Sequence, residues 1–160
     1  MTSNTVQTLP DIGWRQEYRL RWKRRRLLWR SMRSRHQLTC LKDQTSRIRG
    51  GDVLAFTTLR NEITRLPWFF RHYRQLGVNH FLIVDNGSDD GSADYLQGQP
   101  DVSLWQTRSS YRGSRFGLDW LSWLQMRYGH GHWCLMVDAD ELLVYARHDR
   151  HSLHELTEWL

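Results

Sequence analysis

Four short apolar runs govern what this chain can fold into: VLAFTTL at 53–59, HFLIV at 80–84, VSLW at 102–105 and WCLMV at 133–137. Each is strand-length, and together they are rich in β-branched and aromatic residues, which marks β-strands. The segments between them carry helical signals. In 65–76, Phe69, Tyr73 and Leu76 share a face, Pro67 sits in the first turn and Gly77 follows as a stop. A short helix at 93–96 can be capped by Asp90 or Ser92. In 116–127 a buried stripe is marked by Trp120, Leu121 and Leu124, with Tyr128 just beyond and Gly129 and Gly131 as terminators. Strand–helix alternation of this kind predicts an α/β fold, a mostly parallel sheet flanked by helices. The run at 133–137 reads as a strand buried on both faces.

In such sheets, ligands bind off the carboxyl ends of the strands. Three polar clusters fall there: Arg60, Asn61 and Glu62; the turn Asp85 to Asp90; and Asp138, Asp140 and Glu141 in WCLMVDADELLVY. In an extended chain, residues two apart point to one side, so Asp138 and Asp140 converge. Two adjacent carboxylates repel unless a cation or a shared proton compensates, and Mg²⁺ or Mn²⁺ is the natural compensator. The competing reading is that these acids close a strand and cap the next turn. No GxGxxG follows the first strand and no GxxxxGK[ST] occurs, so the usual dinucleotide and P-loop readings fail. His130 and His132 flank Gly131 and suit a satisfied turn better than a metal pair, because hard-metal chemistry prefers oxygen.

At 160 residues and 39% apolar, the chain has material for one domain with a real core. Cys40 and Cys134 make no disulfide framework, which fits a reducing, cytoplasmic setting. No apolar run approaches membrane-spanning length. The net charge of +6 is uneven, with most of the excess before residue 50. Residues 1–50 read as a basic extension and 51–160 as the main domain. Within the extension, 1–13 is a loose terminus, 14–36 a strongly basic helix, and 42–52 a linker. Trp22, Trp29 and Met32, with Tyr18 and Leu28, fall near one side of that helix. Two readings stand: the helix lies on anionic lipid or nucleic acid, or it docks the stripe on the domain and leaves its arginines in water. The second is slightly ahead. No specific nucleic acid is expected as a partner.

The run TTLRNEITRLPWFFRHYRQLGVNHFLIVDNGSDDGSADYL, followed by HGHWCLMVDADELLVY, resembles the family 2 type of glycosyltransferase. The likeness is to the bacterial branch in which RNE, a VDNGSxDG turn and a VDxDE strand end occur in this order. It covers roughly residues 52–145. The resemblance implies a GT-A type, Rossmann-like fold that binds a UDP- or GDP-linked sugar, with Mn²⁺ or Mg²⁺ bridging the donor diphosphate and the DxD motif. Asp138 and Asp140 match that motif, Asp140 as the direct metal ligand and Asp138 toward the ribose or sugar. Asp85 matches the acid that hydrogen-bonds the base. Arg60, Asn61 and Glu62 match the RNE near the nucleoside, and Arg115 is a candidate diphosphate contact. The resemblance further implies inversion at the anomeric carbon by a general base downstream of the DxD, here expected beyond Leu160. The chain is therefore expected to carry the donor-binding half of the fold, with its sheet incomplete at the C-terminus. An exposed edge strand, an exposed apolar face and self-association should follow. The acceptor, a glycan or a lipid, and the sugar stay open. So do two other functions: a donor-binding remnant without turnover, and a basic module built on 14–36 that contacts a membrane surface at its inner face.

Overall fold

The computed structural model describes residues 13–158. Its centre is a five-stranded sheet in the order β1-β4-β3-β2-β5, comprising β1 (Thr39–Lys42), β2 (Val53–Leu59), β3 (His80–Asp85), β4 (Val102–Gln106) and β5 (Trp133–Met136). β2, β3, β4 and β5 pair in parallel, and β1 runs antiparallel to β4. The helices are α1 (Trp14–Ser34), α2 (Leu66–Gln75), α3 (Ser92–Gly98), α4 (Leu118–Tyr128) and α5 (Leu153–Thr157).

β2 and β3 are buried along their whole length, as central parallel strands covered on both faces must be. Strand alternation then divides the core. Val53, Ala55 and Leu59 face α2 and its Leu66, Phe69, Phe70 and Tyr73. Leu54 and Phe56 face Trp120, Leu121 and Leu124 of α4. Trp120 is fully buried, and its indole N–H donates to Gln37 Oε1 at 2.7 Å, so the polar end of this large side chain is satisfied.

Three expectations need correction. First, β5 is not buried on both faces. It is an edge strand that pairs only with β2, and Trp133 is 49% exposed. Second, residues 39–42, read as part of the extension before a linker, form β1. Their sequence, TCLK, is too polar and exposed to announce a strand. The strand exists because it satisfies the outer edge of β4, in register from Thr39 opposite Gln106. Third, α1 does not dock through its aromatic stripe. Tyr18, Trp22, Leu28, Trp29 and Met32 are exposed, and the buried residues of the helix are Ser31 and Ser34. Ser34 Oγ donates to the carbonyl of Asp119 at 3.0 Å. Arg30 reaches the Asp119 carboxylate at 3.1 Å and the Gly113 carbonyl at 3.1 Å. Two small hydroxyls allow close approach to α4, which bulky indoles would prevent.

The segment after β5 crosses over α2. Tyr73 Oη donates to the Glu141 carbonyl at 3.0 Å and accepts from the Leu143 amide at 3.1 Å. α5 then opens on a capping box between Ser152 and Glu155, and Leu153 is buried in the α2-side core.

His80 gives the fold a pH dependence. It is buried against Ser103 Oγ at 2.9 Å. Desolvation holds its imidazole below the usual histidine range, against the opposing pull of Asp101, Asp52 and Asp43. The unfolded chain takes up a proton near pH 6.5, whereas the folded chain resists it. This contribution to stability is therefore complete above about pH 6.5 and declines as the pH falls below it. Denaturant titrations at pH 7.5 and 5.5 should show the loss, and His80→Phe should flatten it; an equal slope in the variant would assign the dependence to other groups.

Candidate functional site

The carboxyl ends of β2, β3 and β5, with the loop after β4, surround one cleft. A cavity of about 410 Å³ is lined by Thr58, Leu59, Arg60, Glu62, Asn86, Tyr111, Asp138, Ala139 and Asp140. A second space of about 560 Å³ shares Arg60, Asn86 and Tyr111 with it and extends past Ser88, Gln106 and Arg108. All three polar clusters read from the sequence contribute to this cleft.

Its walls are held together by backbone–side-chain bonds between the first two clusters. The Asn61 amide donates to Ser88 Oγ at 2.9 Å, and Asn61 Oδ1 accepts from the Asp89 amide at 2.9 Å. Asn61 adopts φ 58°, a left-handed conformation that Asn tolerates better than most residues. Asp90 accepts from the Ile63 and Ser92 amides, and Ser92 Oγ accepts from the Glu62 amide. Burial alone would raise the Asp90 carboxyl, but the bonds from Ser92 and Ile63 outweigh it and leave it below its ordinary value.

Asp138 and Asp140 both line the cavity, although not by strand alternation. β5 ends at Met136, and Asp138 to Glu141 form a turn closed by the Glu141 amide on the Asp138 carbonyl at 3.1 Å. Ala139 is buried in that turn while both aspartates are exposed. Among the described residues neither carboxylate accepts a hydrogen bond or forms an ion pair. Their side chains therefore cap nothing among the described residues, and both stand exposed on the turn that follows β5. Tyr111 lies on the same cavity; desolvation raises its phenol above the usual range, with the charges of Asp138 and Asp140 adding to the effect.

Glu62 lines the cavity but is paired with Arg65 at 2.5 Å. Asp85 does not line it. Its carboxylate is fully buried and accepts from the Ser88 hydroxyl, the Ser88 amide and Gln106 Nε2, the last at 3.1 Å. It holds the turn above it in shape. Arg115 also lies away from the cleft lining. Its guanidinium binds Asp119 through Nε at 2.9 Å, in the same ionic knot as Arg30. The cations on the cleft are Arg60 and Arg108, and neither has an ion-pair partner among the described residues. Arg108 and Tyr111 were not singled out from the sequence. The available signal was the basic, Gly- and Ser-containing loop at 108–117 in which they sit.

The Thr58 side chain forms part of the cavity wall. Its hydroxyl is buried without a hydrogen-bond partner, on a residue only 8% exposed. Gly117 backs it with φ +80°, and a Cβ there would sit 2.7 Å from Thr58 Oγ1. The close approach of this loop to β2 thus requires glycine.

The metal implied by the DxD pair can be tested against this donor set. Among the described residues no cluster of three or more His, Cys, Asp or Glu could hold an ion. A closed, all-protein cage is therefore not built here. Mg²⁺ and Mn²⁺, however, are commonly bound by one or two carboxylates together with phosphate oxygens and water. Two unpartnered aspartates on an open cavity, near two unpaired arginines, fit that second mode. His130 and His132 take no part: His132 Nδ1 meets the Asp52 carbonyl at 3.2 Å in the turn before β5.

No protein-family model, curated protein or solved structure matches the chain.

Proposed function

We propose that the cleft binds a nucleotide-sugar donor and that the protein is a metal-assisted glycosyltransferase of GT-A type, acting at least as its donor-binding part. The observation that carries this reading is the shared cavity lining: two carboxylates with no internal partner, Asp138 and Asp140, alongside Arg60, whose charge is likewise unpaired. A ligand bearing both a diphosphate and a bound cation satisfies both sets of groups at once. A simple anion would be repelled by the aspartates, and a bare cation would leave the arginines unanswered.

In the transfer, the acceptor oxygen bonds to the anomeric carbon as the bond from that carbon to the diphosphate breaks, and the acceptor hydroxyl passes its proton to a general base that Asp138 and Asp140 do not supply. Negative charge grows on the leaving nucleoside diphosphate. Arg60 and Arg108, both exposed on the cleft, supply positive charge beside it. Asp138 and Asp140 would hold Mn²⁺ or Mg²⁺, which supplies further neutralisation of that leaving charge. The Asn86 amide group is committed to the carbonyls of Thr107 and Ser109, so it fixes the loop bearing Arg108 and does not bind donor through its N–H. The latch between Asn61, Ser88, Asp90 and Ser92 keeps the two walls in register before the donor arrives.

Calorimetric titration of UDP and of GDP into the full chain, with and without Mn²⁺, tests the reading. Binding of either nucleotide that needs the metal is expected. Equal binding with and without it, or none in protein shown to be folded, would count against the proposal.

A further inference from the structure

The outward face of α1 plays no part in the fold or the cleft. Trp14, Tyr18, Trp22, Trp29 and Met32 are all exposed. At about 100° per residue they fall within an arc of roughly 80°. Ser31 and Ser34, which dock the helix on α4, lie on the opposite side. Over residues 14–26 every side of the helix is exposed, and at its docked end Trp29 and Met32 lie away from Ser31 and Ser34, so packing among the described residues does not account for the stripe. Trp22 and Trp29 are 56% and 57% exposed, an unusual position for indoles that nothing among the described residues covers.

Charge is arranged around this stripe. The helix carries eight Arg, one Lys and a single acid, Glu17. On the helical wheel Arg15, Arg26 and Arg33 border one edge, Arg21 borders the other, and Arg25 falls within the stripe itself. Two of these arginines lie against the stripe itself: the Arg33 guanidinium is 4.7 Å from the Trp29 ring and that of Arg15 is 5.3 Å from Trp14.

We propose that this face of α1 lies flat on an anionic lipid bilayer, with its aromatic rings at headgroup depth and the bordering arginines on lipid phosphates. The arrangement favours lipid over the other candidate surfaces. Nucleic acid is met by a continuous cationic face, whereas here four aromatic residues and a Met share the face with one cation, Arg25, and the other cations stand along its edges. A second copy of the chain would bring two strongly cationic borders together. Trp and Tyr rings, apolar with one polar edge, suit the boundary between water and acyl chains. No helix among the described residues is long and apolar enough to cross a membrane, so this contact lies on the surface. Arg30 ties the same helix to Gly113, in the loop that brings Tyr111 to the cleft, so a seated helix is mechanically joined to the cleft wall.

Co-sedimentation of the full chain with vesicles tests the proposal. Vesicles of phosphatidylcholine mixed equally with phosphatidylglycerol should carry the protein down, and pure phosphatidylcholine should bind it at least about tenfold more weakly. The double variant Trp22→Ser/Trp29→Ser keeps every charge and removes two exposed residues that belong to neither core cluster. It should keep its circular dichroism and lose about tenfold in partition to the mixed vesicles. Unchanged partition of the double variant would overturn the seating of the aromatic face. So would failure to bind mixed vesicles, or binding to duplex DNA in preference to them, steeply salt-dependent and indifferent to the two tryptophans.

Discussion

Asp140→Ala removes the metal-dependent part of nucleoside diphosphate binding, with an expected loss of about 100-fold in the presence of Mn²⁺, or about 2.7 kcal/mol. The size follows from deleting one of two charged ligands that share a cation with the diphosphate. Without metal the sign is different. Asp138 and Asp140 then face an anion, so removing one negative charge should leave weak binding unchanged or slightly tighter. The two conditions together identify the role. A uniform loss with and without Mn²⁺ would mean that Asp140 shapes the turn instead. That outcome is not expected, because the Asp140 side chain is exposed and makes no hydrogen bond or ion pair among the described residues. Its influence reaches other groups only through space, raising Tyr111 and adding to the stronger effect of Glu62 on Arg65. Calorimetry on the variant, after circular dichroism has established the fold, gives the answer directly.

Phe81→Ala should be the most destabilising of the substitutions considered, at about 3–5 kcal/mol. Phe81 has no exposed surface, and its ring lies 4.8 Å from Phe70 and 5.9 Å from Phe69. Truncation removes the transfer energy of the ring and opens a hole between β3 and α2 that rigid neighbours cannot collapse into. The guanidinium of Arg74 also packs over this ring and that of Phe70, and is itself fixed by Asp101 at 2.6 Å. Against a total stability of about 5–15 kcal/mol, this loss takes a large fraction. A denaturant melt should show a lower midpoint with an unchanged slope. A change under about 1 kcal/mol would mean that the α2-side core is looser than its burial implies.

The parts of the fold that the sequence made legible are those with local causes. β2, β3 and β4 begin and end within a residue of the apolar runs that announced them, and α2 and α4 follow their own buried stripes. Because parallel strands place their carboxyl ends on one side, the clusters at Arg60, at Asp85 and at Asp138 were already assigned to one edge of the sheet. Other features depended on neighbours remote in sequence. β1 is a strand because β4 had an open edge. β5 is exposed because only β2 pairs with it. Asp138 and Asp140 meet the cavity through a turn, not through the alternation of a strand.

Two arginines illustrate the same division. Arg115 and Arg108 stand seven residues apart in one basic loop, and composition does not distinguish them. In the fold, Asp119 claims Arg115, while Arg108 reaches the cleft with its charge unpaired. Asp85 shows it again: a carboxylate at a strand end is available to a ligand only if its own turn does not consume it, and Ser88 and Gln106 do. α1 carries the clearest case. Its sequence determined that it is a helix with an aromatic stripe among arginines, because side-chain periodicity is a property of the helix alone. Only the tertiary structure decided that the stripe stays exposed, because Ser31 and Ser34 permit close approach to α4 and Asp119 offers Arg30 a buried partner.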